Sequence, residues 1–136
     1  MEPTDALDRL RAARVGRFSS LTPDGRPHIV AVTFAVVDDA LVHMVDDKPK
    51  TTLQLQRLRN IESNPWASLL VDHYTEDWAG LWWIRVDGVA TIETSGGRWD
   101  TARSALAAKY DQYLERPPEG AAIFLAMDRV THWEGS

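Results

Sequence analysis

Apolar and polar positions along this chain switch between two periods, and the switches mark its elements. Pro3 and Thr4 begin a helical stretch in which Leu7, Leu10 and Val15 are placed to face a core, behind Arg9, Arg11 and Arg14. GRFSSLTPDGRPHIVAVTFAVVDDALVHMV (16–45) then reads as three strands. Its TPDG is a turn with proline preset and glycine free for positive φ, and Asp38-Asp39 is a tight connection. HIVAVTFAVV is apolar on both alternating faces, which predicts a strand covered on both sides, with a second subunit as one source of that cover. From Thr51 to Ser63 the period lengthens: Leu55, Leu58 and Ile61 recur at helical spacing, and Asn64-Pro65 ends the helix. WASLLVDHY is a fourth strand and LWWIRVDGVATIE a long fifth, where Asp87-Gly88 is either a hairpin turn or a bulge bending one continuous strand. GGRWDTARSALAAKYDQYLER is an amphipathic helix with Trp99, Ala102, Leu106, Tyr110 and Tyr113 on one stripe. PPEG breaks it, and AAIFLAMDRVTHWEG is a final strand. The pattern predicts a mainly β protein, a small β-barrel with α additions, formed by residues 1–136 as one domain.

Composition narrows the class. At 136 residues, with 44% hydrophobic side chains and six Trp, the chain has material for one sizeable core. It has no cysteine, so disulfides, thiolate chemistry and Cys-based zinc sites are excluded. No apolar run is long enough to span a membrane and the N-terminus has no hydrophobic signal core, so the expected location is the cytoplasm. Fifteen basic against 20 acidic side chains make a net charge of −5, which argues against a nucleic-acid partner.

Against that acidic background one stretch stands out. Within DDKPKTTLQLQRLRN (46–60), Lys48, Lys50, Arg57 and Arg59 fall in twelve residues, 48–59, that hold no carboxylate. The lysines precede a helix start with Thr51 and Thr52 near its N-cap, where free N–H groups and the helix dipole favour an anion. Arg57 lies two turns beyond Lys50 and adds a guanidinium on the same face. The plain alternative is a solvated helix start. A second group, Arg9, Arg11, Arg14 and Arg17, is offset by Asp5 and Asp8 and reads as a solvated face.

Trp78, Trp82 and Trp83 crowd one strand start; adjacent Trp82 and Trp83 must point to opposite faces, one to the core and one to a flat ligand or a subunit contact. Arg85 shares the Trp83 face and calls for an acidic partner. His28, His43, His73 and His132 have no metal-site spacing, so no metal is predicted. The Walker, GxGxxG and GxSxG patterns are all missing, so no catalytic nucleophile is named, and any reactive atoms would come from a cofactor.

The order DGRPHIVAVTF, LVHMVDDKPKTT, RLRNIESNPWASLLVD, WWIRVDGVATIE resembles the pyridoxamine 5′-phosphate oxidase-like split-barrel family, and within it the branch dependent on the deazaflavin coenzyme F420. The resemblance covers about residues 15 to 93. DGRP before a long strand, and Arg57 ahead of Arg59-Asn60 and Asn64-Pro65, are its most specific marks. It implies a six-stranded antiparallel split barrel, homodimeric, with two cofactor sites at the interface. It implies that Lys48, Lys50, Thr51 and Arg57 hold the cofactor phosphate, that Asn60 supports the loop or ring, and that His28 lies near the deazaflavin. Trp78, Trp82 and Trp83 would shape the substrate space, with His73 or His28 as a proton source. The implied activity is hydride transfer from reduced F420 to a small unsaturated substrate. FMN in the same cradle, or a non-catalytic F420 carrier, are the alternatives. The branch usually has Lys where this chain has Arg57, and a shorter path from strand to helix.

Overall fold

The computed structural model describes residues 1–46 and 55–136. Its elements are α1 (Pro3–Ala12), β1 (Gly16–Leu21), β2 (Pro27–Val32), β3 (Ala35–Val37), β4 (Ala40–Met44), α2 (Gln56–Ser63), β5 (Trp66–His73), β6 (Trp82–Glu93), α3 (Gly97–Lys109), α4 (Asp111–Glu115), β7 (Ala122–Ala126) and β8 (Arg129–Glu134). A single 3-10 turn, Trp78–Gly80, precedes β6. All pairings are antiparallel, in the order β2-β1-β5-β6-β7-β4-β3, with β8 on β6.

Eight strands replace the six expected, because two of the six runs are broken. The run HIVAVTFAVV is interrupted at Thr33-Phe34, separating β2 from β3 at opposite ends of the strand order. The final run is interrupted at Met127-Asp128. There, Ala90 faces Leu125 while Asp87 faces Arg129, so residues 126–128 oppose residues 88–89. One surplus residue is a β-bulge, and it bends the pair so that β6 serves both halves of the structure. Asp87-Gly88 is therefore not a hairpin turn: β6 runs through it as one strand of 12 residues. Gly88 is required by space, since a Cβ there would lie 1.9 Å from the Ala126 carbonyl oxygen.

The turns follow their residue chemistry. In TPDG, Gly25 has φ of 84° and donates its N–H to the Thr22 carbonyl at 2.8 Å. Asp38 adopts φ of 52° in the two-residue link between β3 and β4, a conformation that Asp tolerates better than most residues.

The core has two parts. Phe18, Phe34, Leu41, Leu69, Ile84, Val86, Ile123 and Leu125 fill the barrel with Leu10, Leu58 and Ile61 from the helices. Each such buried side chain contributes about 1.5–3 kcal/mol of transfer free energy. The second part lies between the outer face of β4 and β7 and α3, where Val42, Met44 and Phe124 meet Ala102 and Leu106. Trp99, Tyr110 and Tyr113 flank it as the stripe predicts, although the helix divides at Tyr110 into α3 and α4. On α1 the buried residues are Ala6 and Leu10, while Val15 lies beyond the helix and is 40% exposed. Ala6 and Leu10 are four apart on one stripe, and Val15 falls after the chain has turned.

Among the described residues, the two-sided cover expected of β2 is not present. β2 is an edge strand whose outward residues are open, with Ile29 66% exposed. No helix among the described residues is long and apolar enough to cross a membrane.

Candidate functional site

Helix α2 closes one end of the barrel, and a polar cluster collects beneath it. Inward alternation on β1 buries Phe18 and Ser20, and the register sets Ser20 opposite His28 on β2. From α2, Leu58 and Ile61 enter the core, and between them Asn60 is carried inward to 0% exposure. A fully buried amide requires partners. Asn60 donates from Nδ2 to Ser20 Oγ at 3.0 Å and accepts at Oδ1 from Gln56 Nε2 at 2.7 Å. The structure thus brings Asn60 and His28 together around Ser20.

His43, on β4, was not singled out in the sequence, where it is one polar residue in an apolar strand. It is buried with its ring 4.6 Å from that of Phe18. Burial, with the Arg57 charge added, pushes its imidazole down to about 3, so it is neutral at physiological pH. Arg57 stands in the first turn of α2, half-buried, in a turn that contains no acid. Burial lowers its pKa, and the nearby Asp46 and Tyr113 oppose that effect. An arginine remains charged throughout. Tyr113 donates to Asp46 Oδ1 at 2.8 Å, so the 2.9 Å contact with Thr33 Oγ1 is one in which Thr33 donates.

Among the described residues, three buried side-chain nitrogens have no hydrogen-bond partner: His28 Nδ1, His43 Nε2 and Arg57 Nε. All three lie on the strands and helix that frame this end of the barrel. Buried donors and acceptors are rarely left unmatched in a folded protein, because each costs about 1–3 kcal/mol. The arrangement suits a ligand that brings oxygen acceptors to Arg57 and a polar ring edge to the histidines. Lys48, Lys50 and Thr51 lie outside the described residues.

The residues expected to shape a substrate space are divided. His73 and Trp82 stack, ring centroids 5.9 Å apart, with the Arg9 guanidinium 5.0 Å from the Trp82 ring. Trp83 points to the opposite face, beside Arg85 and in register with Trp133. Trp78 is 68% exposed on the turn before β6. Arg85 has the acidic partner predicted, Asp87 at 3.1 Å. The first arginine group is dispersed: Arg9 pairs with Glu134, Arg17 with Asp72, and Arg14 donates to the Lys109 carbonyl. Among the described residues no group of His, Asp and Glu side chains is assembled to hold a metal.

Comparison with known proteins fits this architecture. The profile of the pyridoxamine 5′-phosphate oxidase family matches residues 3–134, nearly the whole chain. The protein belongs to that family. No curated protein sequence matches it. Among solved structures, the conserved hypothetical protein Rv2991 of Mycobacterium tuberculosis superposes with TM-score 0.79 at 20% identity, over 98% of this chain and 85% of that one. The heme binding protein of Mycobacterium smegmatis superposes with TM-score 0.75 at 22% identity, over 99% of this chain but only 56% of its own. The FAD binding protein of Mycobacterium smegmatis gives 0.71 at 16% identity, over 98% and 95%. At these identities the likeness is one of fold.

Proposed function

We propose that the protein is an oxidoreductase that binds the deazaflavin coenzyme F420 at the α2 end of the barrel and reduces a small unsaturated substrate held against it. The observation that carries this reading is the set of orphaned buried nitrogens on Arg57, His28 and His43 beneath a helix start that bears no acid. Arg57, with Lys48, Lys50 and Thr51 of the same segment, would hold the phosphate. Asn60, fixed by Ser20 and Gln56, would support the ring side. When bound, the deazaflavin supplies the hydride. The chain's own groups would bind, orient and exclude water, and His28 or His73 would hold the proton that must accompany reduction.

FMN is the second reading, and one observation favours it. The acidic tail of F420 needs a basic exit path, yet Arg9, Arg14 and Arg17 are engaged by Glu134, the Lys109 carbonyl and Asp72. Lys48 and Arg11 are then the cations left for that path. Titrating purified protein with each compound separates the readings. F420 binding is expected, weakened by roughly 1.5–3 kcal/mol in Lys50→Ala and in Arg57→Ala, the scale of a charge-assisted hydrogen bond. Tight FMN binding without F420 binding would transfer the proposal to FMN, and unchanged affinity in both variants would move the site elsewhere. Binding with no oxidation of reduced F420 across a panel of enones and quinones would make the protein a carrier.

A further inference from the structure

A second concavity lies away from α2. It is a shallow groove of about 260 Å³ lined by Arg11 of α1, Ala35 and Val36 of β3, and Ala105, Ala108 and Lys109 of α3. Four of its lining side chains are small or aliphatic, two are cationic, and among the described residues no carboxylate lines it. None of these residues belongs to the candidate cofactor site. Arg11 is exposed and, unlike Arg9 and Arg17, has no ion pair among the described residues.

Lys109 is held in place. Its ammonium donates to the Phe34 carbonyl at 2.8 Å and lies 4.4 Å from the Phe34 ring centroid and 5.4 Å from that of Tyr110. The Arg14 side chain fixes the same corner, donating to the Lys109 carbonyl at 3.0 Å and covering the Tyr110 ring at 4.6 Å. An ammonium has three donors, and among the described residues only Phe34 accepts one. A fixed cation with unused donors, lining the same groove as an exposed guanidinium and four apolar side chains, complements one ligand shape: a short apolar body ending in a single anionic group.

We propose that this groove binds a small amphipathic monocarboxylate, its hydrocarbon against Ala35, Val36, Ala105 and Ala108 and its carboxylate between Arg11 and Lys109. The size is consistent, since the groove is below the range that drug-sized ligands occupy. Burial, with the Arg14 charge added, pushes the Lys109 amine down to about 8. A bound carboxylate favours the protonated amine, so affinity should decline as pH rises from 7 to 9. The other charged groups facing Lys109 are Arg11 and Arg14, which stay cationic, and Tyr110, whose pKa burial raises.

The test uses hexanoate and, as its neutral counterpart, hexan-1-ol, followed by methyl NMR of the intact protein. Hexanoate should shift the Ala35, Val36 and Ala105 methyl resonances saturably, at least fivefold more tightly than hexanol. Arg11→Gln, an exposed change that leaves the fold alone, should weaken hexanoate by three- to tenfold and leave hexanol unaffected. Lys109→Met should weaken it at least as much and remove the pH dependence. Equal affinity for the two probes, wild-type hexanoate affinity in Arg11→Gln, or shifts confined to other methyl groups would each overturn the proposal.

Discussion

His43 shows how one side chain couples sequence to stability. Its imidazole is buried beside Phe18 with Nε2 unpartnered, and its pKa falls to about 3 in the folded protein. In the unfolded chain it titrates near the ordinary value of about 6.5. Between those values the unfolded state binds a proton that the folded state refuses. Stability is therefore complete above about pH 6.5 and is lost as pH falls toward 3, at up to about 1.4 kcal/mol per pH unit from this group. His43→Leu should flatten that dependence, and urea midpoints measured at pH 7, 6, 5 and 4 check it. A variant that loses stability in parallel with the wild type across this range would show that His43 is not the titrating group. The residue was legible only as a polar position in ALVHM; its depth, and the Arg57 charge nearby, come from packing between elements far apart in sequence.

At the scale of elements, the bulge opposite Gly88 joins the two parts of the sheet. β6 pairs with β8 up to Asp87 and with β7 from Ala90, and the Ala126 carbonyl fills the space a side chain at position 88 would need. Gly88→Ala should cost about 1–3 kcal/mol through forced backbone movement, a fall in Tm of about 4–12 °C. Gly97→Ala is the control, since nothing lies within 4 Å of a Cβ there. Equal melting temperatures for the two variants would refute the packing account. A comparable junction is Thr33-Phe34, where the sheet ladder stops. Tyr110 Oη accepts the Phe34 N–H at 3.2 Å, while Lys109 donates to the Phe34 carbonyl. Helix chemistry there satisfies backbone groups that strand pairing leaves open. Alternation alone reads straight through this point, because both Phe34 and the residues around it are apolar.

At the scale of the molecule, the outer face of the five strands β2, β1, β5, β6 and β8 exposes several large apolar side chains among charged ones. Ile29 is 66% exposed, Trp66 58%, Trp133 45% and Leu21 39%. The register sets Leu21 and Pro27 one row from Ile29, Ser19 and Ser68, while Trp133, opposite Trp83, lies further along the strands beyond the row of Arg17, Leu70 and Arg85. We propose that this face associates with a second copy of the chain, which would supply the cover expected from the two-sided apolar run HIVAVTFAVV. Light scattering of the wild type should give twice 15.3 kDa. Ile29→Glu, which places a charge on the most exposed of these apolar residues, should give the monomer mass with its secondary structure intact. A monomeric wild type at tens of micromolar would remove the dimer and any cofactor site that depends on it.

The strands, the α2 and α3 stripes, the TPDG and Asp38-Asp39 turns and the cationic segment at 48–59 were determined by the sequence alone, because each is a local matter of periodicity, turn chemistry or charge spacing. Tertiary structure alone decided that two strand runs break, that Asn60 meets Ser20 beneath α2 while His43 is buried beside Phe18, and that the α1 arginines part company, Arg9 in an ion pair and Arg11 facing a groove. Those outcomes depend on register and burial between distant segments. A one-residue bulge or the closing of a barrel end leaves no periodic trace in the chain that forms it.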